Sequence, residues 1–444
     1  MRLHRSDVRL LLCLCVPAIV SGQKGQSTFE RRVDAYFAAA VAAHDFSGSV
    51  LIARGDSVLV RKGYGLASNE FGIAAAPDTR YIIASLTKTL TAAAIVRLRD
   101  QGKLGLGDTL SRYLPAFPHG PRITLTHLLG HASGVANPEY LSLFGRQVSL
   151  EQLVADIGKQ PLLFAPGTDD RYSNAGYNLL AAVIEKVSGR LYGTALRDLV
   201  LDPAGMSSSG DASDGAVVPR LATPYVAGPG AFRARVADGN YSADVGAGSV
   251  YSTVNDLFRW ARAIQTDRLF KLGSISYAYG WGQRNLAGGR WLEQTGLLDG
   301  WASNIYVGRD SAIVVVVLAN HSTPTFSRWG RELAQILMGG GEPRADSIAP
   351  LAAELPVREL PVEPAAYLGR YTAQGFTARV TSSSGALYLE VNDWPVARYL
   401  AAAAPDRFVV GDFGLEMSFT RDAQGRVTGA VWGSGQGAMT LRRE

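Results

Sequence analysis

The chain has 444 residues, 47% hydrophobic and 19% charged, a balance that excludes a disordered or fibrous protein and requires packed cores. With 44 Lys and Arg against 39 Asp and Glu the net charge is only +5, and no basic run interleaved with aromatic residues stands out, so a nucleic-acid partner is not expected. At this length two or three domains are expected, because single cores rarely grow past roughly 250–300 residues.

The first 22 residues have the layout of an export signal. Arg2, Arg5 and Arg9 precede the apolar stretch 10–20, and the small residues Ser21 and Gly22 follow. Eleven apolar residues fall well short of the roughly 20 that a spanning helix needs, so the mature chain is expected to carry no stable membrane span and to be exported, to the periplasm or outside the cell. Both cysteines, Cys13 and Cys15, lie inside the leader, which leaves the mature chain without disulfide or thiol chemistry.

Residues 28–338 alternate helical and strand-like patterns. Segments 46–54 and 57–61, joined by Gly55-Asp56, form a hairpin pattern. A long helix is predicted over 86–101: Leu86, Leu90, Ala93, Ala94, Val96 and Leu98 give it an apolar surface, and Gly102 ends it. A second helix is predicted over 175–189. The β-branched run 313–318 fits a strand buried on both faces, although a short buried helix has the same pattern. From 339 to 364, three glycines and then repeated prolines describe an extended linker. Residues 365–444 carry short alternating segments at 377–381, 386–390, 407–410 and 415–420, the pattern of a small all-β barrel or sandwich.

Three short motifs could carry chemistry. Ser85-Leu-Thr-Lys88 opens the long helix, and residues three apart share a helix face, so the lysine amine can reach the serine hydroxyl. A hydroxyl attacks only once something accepts its proton, and a desolvated lysine can do so. The pattern is common by chance: Ser21-Gly-Gln-Lys24 repeats it in the leader. Tyr172-Ser-Asn174 precedes the second helix, where the phenol could exchange protons with Ser85 and a leaving group, and Asn174 could orient a substrate amide or Lys88. The same triplet also makes an ordinary helix N-cap. Gln294-Thr295-Gly296 closes a strand-like stretch, where the glycine permits close approach of a substrate backbone. Polar residues ending in Gly also mark plain strand ends.

In this order and spacing the three motifs resemble those of the serine β-lactamase and penicillin-binding protein superfamily: Ser-x-x-Lys, Tyr-x-Asn and Lys/His-Thr-Gly. The segments 123–134, 164–168, 172–178, 246–253 and 279–281 resemble recurring segments of its class C β-lactamase and D-alanyl-D-alanine carboxypeptidase-like branch, and residues 365–444 more loosely resemble the lipocalin-like β-domain often appended to such hydrolases. The resemblance implies an α/β fold, an antiparallel sheet flanked by helices with a helical subdomain between its early and late strands, followed by the small barrel. It implies Ser85 as acylated nucleophile, Lys88 as proton acceptor and Tyr172 as partner acid or base. Asn174, Gln294, Thr295 and Gly296 would contact substrate, and the backbone N–H groups of Ser85 and Leu297 would form an oxyanion hole. No metal or cofactor is implied. His127 and His131, four apart, lack the glutamate of a zinc-protease helix and fall within a family segment, so both are expected to be structural.

One position departs from the pattern. Gln294 stands where the family has lysine or histidine, and a neutral amide can neither hold a substrate carboxylate by charge nor favour ionisation of the phenol. The expected partner is a small-molecule or peptide-like acyl compound, and of the esterase, D-aminopeptidase and carboxypeptidase types of activity the first two, on substrates without that carboxylate, are favoured over a carboxypeptidase or a potent β-lactamase. The other expectation is a weakly active or non-catalytic sensor that keeps the pocket. Oligomeric state is left open.

Overall fold

The computed structural model describes residues 27–137, 147–226, 234–235, 240–269, 279–286, 289–322, 326–338, 363–373, 376–383, 385–391, 398–410, 415–433 and 438–444. The expected leader and all but the last two residues of the expected linker lie outside them.

A six-stranded antiparallel sheet organises the first part. Its strands are β1 (Gly48–Arg54), β2 (Ser57–Tyr64), β3 (Gly282–Leu286), β4 (Gly289–Leu298), β5 (Trp301–Gly308) and β6 (Ile313–Ala319), in the order β3-β4-β5-β6-β1-β2. The N-terminal hairpin thus completes a sheet whose other strands come more than 200 residues later, and the helices between them form the second lobe. The hairpin turns at Gly55, whose φ of +58° places it where a side chain would be strained.

The β-branched run explains itself in β6, where all seven residues are buried. Val314, Val316 and Leu318 face a core shared with the helical lobe, while Ile313, Val315, Val317 and Ala319 face a second core on the other side. A strand covered on both faces has no polar register to keep. The second core is closed by α1 (Thr28–Ala42), which buries Val33, Tyr36, Phe37 and Ala40 at helical spacing, and by α6 (Phe326–Met338), which contributes Trp329, Leu333 and Ala334.

Inside the helical lobe, α2 (Thr87–Asp100) is buried almost all round, as an apolar segment with few charges should be. Around it stand α3 (Leu150–Gly158), α4 (Asn174–Ser188) and α5 (Val254–Gln265). Ser173 caps α4 by accepting from the Gly176 N–H at 3.0 Å, and Gly189, at φ +68°, ends it in the left-handed region.

The C-terminal segment closes into an eight-stranded antiparallel barrel: β7 (Gly369–Ala373), β8 (Phe376–Ser383), β9 (Ala386–Val391), β10 (Arg398–Ala404), β11 (Arg407–Val410), β12 (Leu415–Arg421), β13 (Val427–Trp432) and β14 (Met439–Arg443). Of the two all-β shapes that the alternating segments allowed, the barrel is the one adopted. Closure comes from β7 pairing with β14, Tyr371 opposite Arg443. The inward residues, among them Tyr371, Val380, Leu389, Phe408, Met417 and Leu441, fill its interior as a core separate from the other two.

Because Leu318 is fully buried between sheet and helices, Leu318→Ala should cost about 2–5 kcal/mol through lost burial and a residual cavity. Val58→Ala, at a position 40% exposed, should stay within about 0.5 kcal/mol. Urea denaturation of the two variants beside the parent chain checks the contrast.

Candidate active site

Ser85 sits not in the first turn of α2 but in a single 3₁₀ turn, Ala84–Leu86, that leads into it. Ala84, just before it, has φ +49°, a conformation unusual for a residue with a side chain. The surroundings impose it: the Ile83 N–H is bonded to the Val250 carbonyl at 2.8 Å, and the Ile83 carbonyl accepts from the Ser303 hydroxyl at 2.7 Å. The chain is pinned to the sheet immediately before the serine and then turns sharply into the helix.

The motif residues converge. Lys88 Nζ donates to Ser85 Oγ at 3.1 Å, and the Tyr172 hydroxyl lies 2.7 Å from the same oxygen. Lys88 has no solvent exposure; its amine also donates to the Ala247 carbonyl at 2.8 Å and lies over the rings of Tyr172 and Tyr177, 4.8 and 5.8 Å from their centroids. Tyr172 is half exposed. The serine oxygen is therefore bonded to a sheltered amine on one side and to a solvent-reaching phenol on the other. Such an arrangement can pass a proton away from an attacking hydroxyl and deliver one to a departing group.

The third motif lines the other wall. Pairing between β3 and β4 stops at Gly282 opposite Glu293, so Gln294–Leu298 of β4 turn an edge toward the serine. Gln294 Nε2 donates to the Ser85 main-chain carbonyl at 3.4 Å, and its own Oε1 accepts from the Thr295 N–H at 3.2 Å. A methyl group at Gly296 would stand 2.4 Å from the Ile83 carbonyl oxygen and 2.9 Å from Ser85 N. Strand β4 can come this close only because that residue is glycine. Leu297 follows, opposite Ala302 on β5, its side chain packed into the core on the α1 side of the sheet. The Asn174 Oδ1 is buried and accepts no hydrogen bond from the described residues. The lysine contact considered for Asn174 is instead made by Ala247, within the segment 246–253 that the family resemblance singles out without assigning it a role.

Both histidines have structural roles, but His131 also touches the site. His127 completes a capping box with Thr124 at the helix Leu125–Leu129. His131 accepts the Ser173 N–H through Nδ1 at 3.1 Å and packs its ring between Tyr172 and Tyr177, at 4.8 and 5.2 Å. Burial pushes its imidazole down to about 4, and the charge of Lys88 adds in the same direction. Asp244, next to the Ala247 loop, moves the other way: burial raises it to about 6, with Lys88 opposing and Asp299 reinforcing. Sequence spacing could not find Asp244, which comes near the lysine from a segment far along the chain.

A family model described as Beta-lactamase matches residues 33–337. The chain belongs to that family. Among relatives it is 27% identical over 414 residues to penicillin-binding protein 4* of Bacillus subtilis (strain 168), covering 85% of this chain and 90% of that protein. It is 32% identical over 226 residues to the putative penicillin-binding protein PbpX of the same strain, and 34% over 217 residues to esterase EstB of Burkholderia gladioli. These two matches span 51% and 44% of this chain and only about half of the relatives' own lengths, 56% and 54%. The fold of an octameric penicillin-binding protein homologue from Pyrococcus abyssi superposes with a TM-score of 0.58 at 21% identity, over 93% of this chain and 98% of that one, a likeness of fold that takes in the barrel. Among the described residues no helix is long and apolar enough to cross a membrane, and no group of three or more His, Cys, Asp or Glu side chains is placed to hold a metal ion.

Gly296→Ala should push β4 off Ser85, and because displacements near 1 Å cost about 100-fold in rate, labelling of Ser85 by a serine-directed phosphonate should fall by about that factor while the fold survives in circular dichroism. His131 sets a pH dependence of stability. Between about 6.5 and about 4 the unfolded chain binds a proton that the folded chain refuses, so this group makes the fold less stable as pH falls through that window. Asp211 and Asp244, both raised to about 6 by burial, act in the opposite sense. His131→Gln should therefore flatten the acid-side loss relative to the parent by on the order of 3 kcal/mol, read as the difference between the two denaturation series at pH 7 and pH 4.

Proposed function

We propose that the chain is an exported serine hydrolase that takes the acyl group of an ester or a peptide-like amide onto Ser85. The observation that carries this is the serine oxygen held between Lys88 Nζ and the Tyr172 hydroxyl. Ser85 Oγ attacks the carbonyl carbon while its proton passes to the Lys88 amine. Tyr172, open to solvent, gives its proton to the leaving oxygen or nitrogen and is reprotonated from Lys88. The bond from carbonyl carbon to leaving atom breaks, the released alcohol or amine carries the proton, and the acyl group stays on Ser85. Water then attacks the ester, and the same two groups take its proton and return one to Ser85.

In this scheme the N–H groups of Ser85 and Leu297 receive the developing oxyanion, which fits the β4 edge lying flush against the serine. Asn174, with a buried carbonyl oxygen that has no partner among the described residues, is suited to accept a substrate N–H. Gln294, Thr295 and Gly296 form the wall along which an extended acyl substrate runs. No step calls on a metal or cofactor. The leader pattern at residues 1–22 supports export.

Gln294 sets the substrate class. Its amide is tied to the Ser85 carbonyl and carries no charge, so the pocket lacks at that position the cation that would hold a substrate carboxylate. This favours ester and amide substrates without that group, and the likeness to an esterase and to penicillin-binding proteins is compatible with either chemistry. The same residue keeps a second reading in play, a weakly active or non-catalytic sensor that is acylated without turnover.

Incubation with a fluorophosphonate, a chromogenic cephalosporin and a short-chain aryl ester, followed by turnover and intact mass, tests the proposal. The parent chain should hydrolyse the ester and gain the phosphonate mass, and Ser85→Ala should lose both. Identical behaviour of the two would overturn Ser85 as nucleophile, and stable labelling without turnover would select the sensor. Gln294→Lys should raise reactivity with the carboxylate-bearing cephalosporin by about tenfold, the worth of one charge-assisted hydrogen bond. An unchanged rate sinks the account of that position.

A further inference from the structure

The barrel places one residue against the catalytic lobe that the hydrolase scheme has not used. Arg398, the first residue of β10, forms an ion pair with Asp299, and both side chains are almost fully enclosed, 3% and 10% exposed. Asp299 and Gly300 make the tight turn between β4 and β5, two residues beyond Leu297. Gly300 has φ +76°, and a methyl group there would stand 2.5 Å from Pro224, so the turn is pressed hard against its neighbours. Trp301 then donates from Nε1 to the Tyr241 hydroxyl at 2.7 Å, tying the turn to the segment 241–248. That segment returns to the catalytic lysine: its Ala247 carbonyl accepts from Lys88 Nζ, while Asp244 Oδ1 and Leu298 Cδ1 both lie 3.5 Å from the position a Cβ on Gly248 would take.

Resting on Ser85 as the acylated residue, we propose that Arg398 is a positioning residue for the Ser85–Lys88 pair: through Asp299 the barrel holds the turn at the end of β4 and offsets a negative charge in the surroundings of Lys88. The charged and titratable groups facing the lysine come from several elements. Ser85 precedes it in the 3₁₀ turn, Tyr172 and Tyr177 offer their rings from just before and just inside α4, and His131 stands behind them. Asp244 faces it from the 241–248 segment. Asp299 acts on Asp244 through space, and Asp244 in turn feels the charge of Lys88, so the ion pair on the barrel is coupled to the amine through that carboxylate.

Charge logic gives the consequence. An anion near Lys88 favours its ammonium form, which cannot accept the proton of Ser85. With Arg398 present, the charge of Asp299 is offset where it lies; without it, an uncompensated carboxylate is added beside Asp244, whose charge Lys88 feels. The C-terminal barrel would then tune the reactivity of a serine on another domain, a role that no motif in either segment announces.

The test uses the full-length chain and the rate at which a fluorophosphonate modifies Ser85 between pH 5 and pH 10, a readout independent of the natural substrate. In Arg398→Gln the pH of half-maximal rate should rise by about 0.5–1 unit, which slows labelling at pH 7 by about 3- to 10-fold. Arg398→Lys, which keeps the charge, should hold the parent midpoint, and the double variant Arg398→Gln with Asp299→Asn should return toward it. An unchanged profile in Arg398→Gln overturns the proposal, as does a uniform loss at every pH that the second substitution does not relieve, since that is the mark of a merely structural residue. If Arg398→Gln fails to fold, Asp299→Asn carries the test: its midpoint should fall below the parent's, and an unmoved one overturns the proposal. Ser85→Ala runs alongside. Label that persists there overturns the underlying serine reading, whereas serine-dependent label with a silent Arg398 overturns only this inference.

Discussion

Everything around the site depends on one buried amine. Lys88 has no access to solvent, and a lysine in that position is tolerated only where acceptors and polarisable faces replace the water it has lost. The structure supplies two oxygens, from Ser85 and Ala247, and two aromatic rings, from Tyr172 and Tyr177. These come from three stretches of chain: the turn before α2, the loop that holds Ala247, and the start of α4. The positive-φ Ala84, the Gly246–Ser249 loop, the capped start of α4 and the neutral His131 can all be understood as what it takes to bring four partners to one nitrogen.

The two-lobed architecture follows from the same requirement. The sheet provides a rigid floor, with β6 buried on both faces and β4 turning a free edge toward the serine. The helical lobe provides α2 and α4, whose leading ends meet over that edge. A serine between two lobes can be reached by substrate, as the proposed scheme requires, while its lysine, one helical turn deeper, stays dry. In the proposed scheme this separation of an exposed phenol from an enclosed amine gives the site direction: one partner for solvent and leaving group, the other for the serine.

Much of this was legible in the sequence because its signals are local. The hairpin at Gly55-Asp56, the helix ended by Gly102, the β-branched strand β6 and the alternating segments of the barrel each declare themselves within a dozen residues through periodicity and turn chemistry. The Ser85–Lys88 pair is local too, since a helix places residues three apart on one face; that the serine occupies a 3₁₀ turn rather than the α-helix does not break the reach. Tyr172 needed more, the order and spacing of a family pattern, because nothing in its own neighbourhood separates a catalytic phenol from a residue beside a helix cap.

What local pattern could not supply is whatever depends on chain segments far apart meeting at a point. The sequence by itself determined which side chains could do acyl chemistry and, through Gln294, that a charged carboxylate anchor is missing from its usual place. Tertiary structure decided that Ala247 rather than Asn174 receives the lysine, that His131 supports the phenol, that Gly296 lets a strand lie against the serine, and that the barrel reaches Asp299 with Arg398. The reason is physical. A hydrogen bond or an ion pair acts over a few ångströms, whatever the separation along the chain, and the packing of three separate cores is what converts distant positions into neighbours.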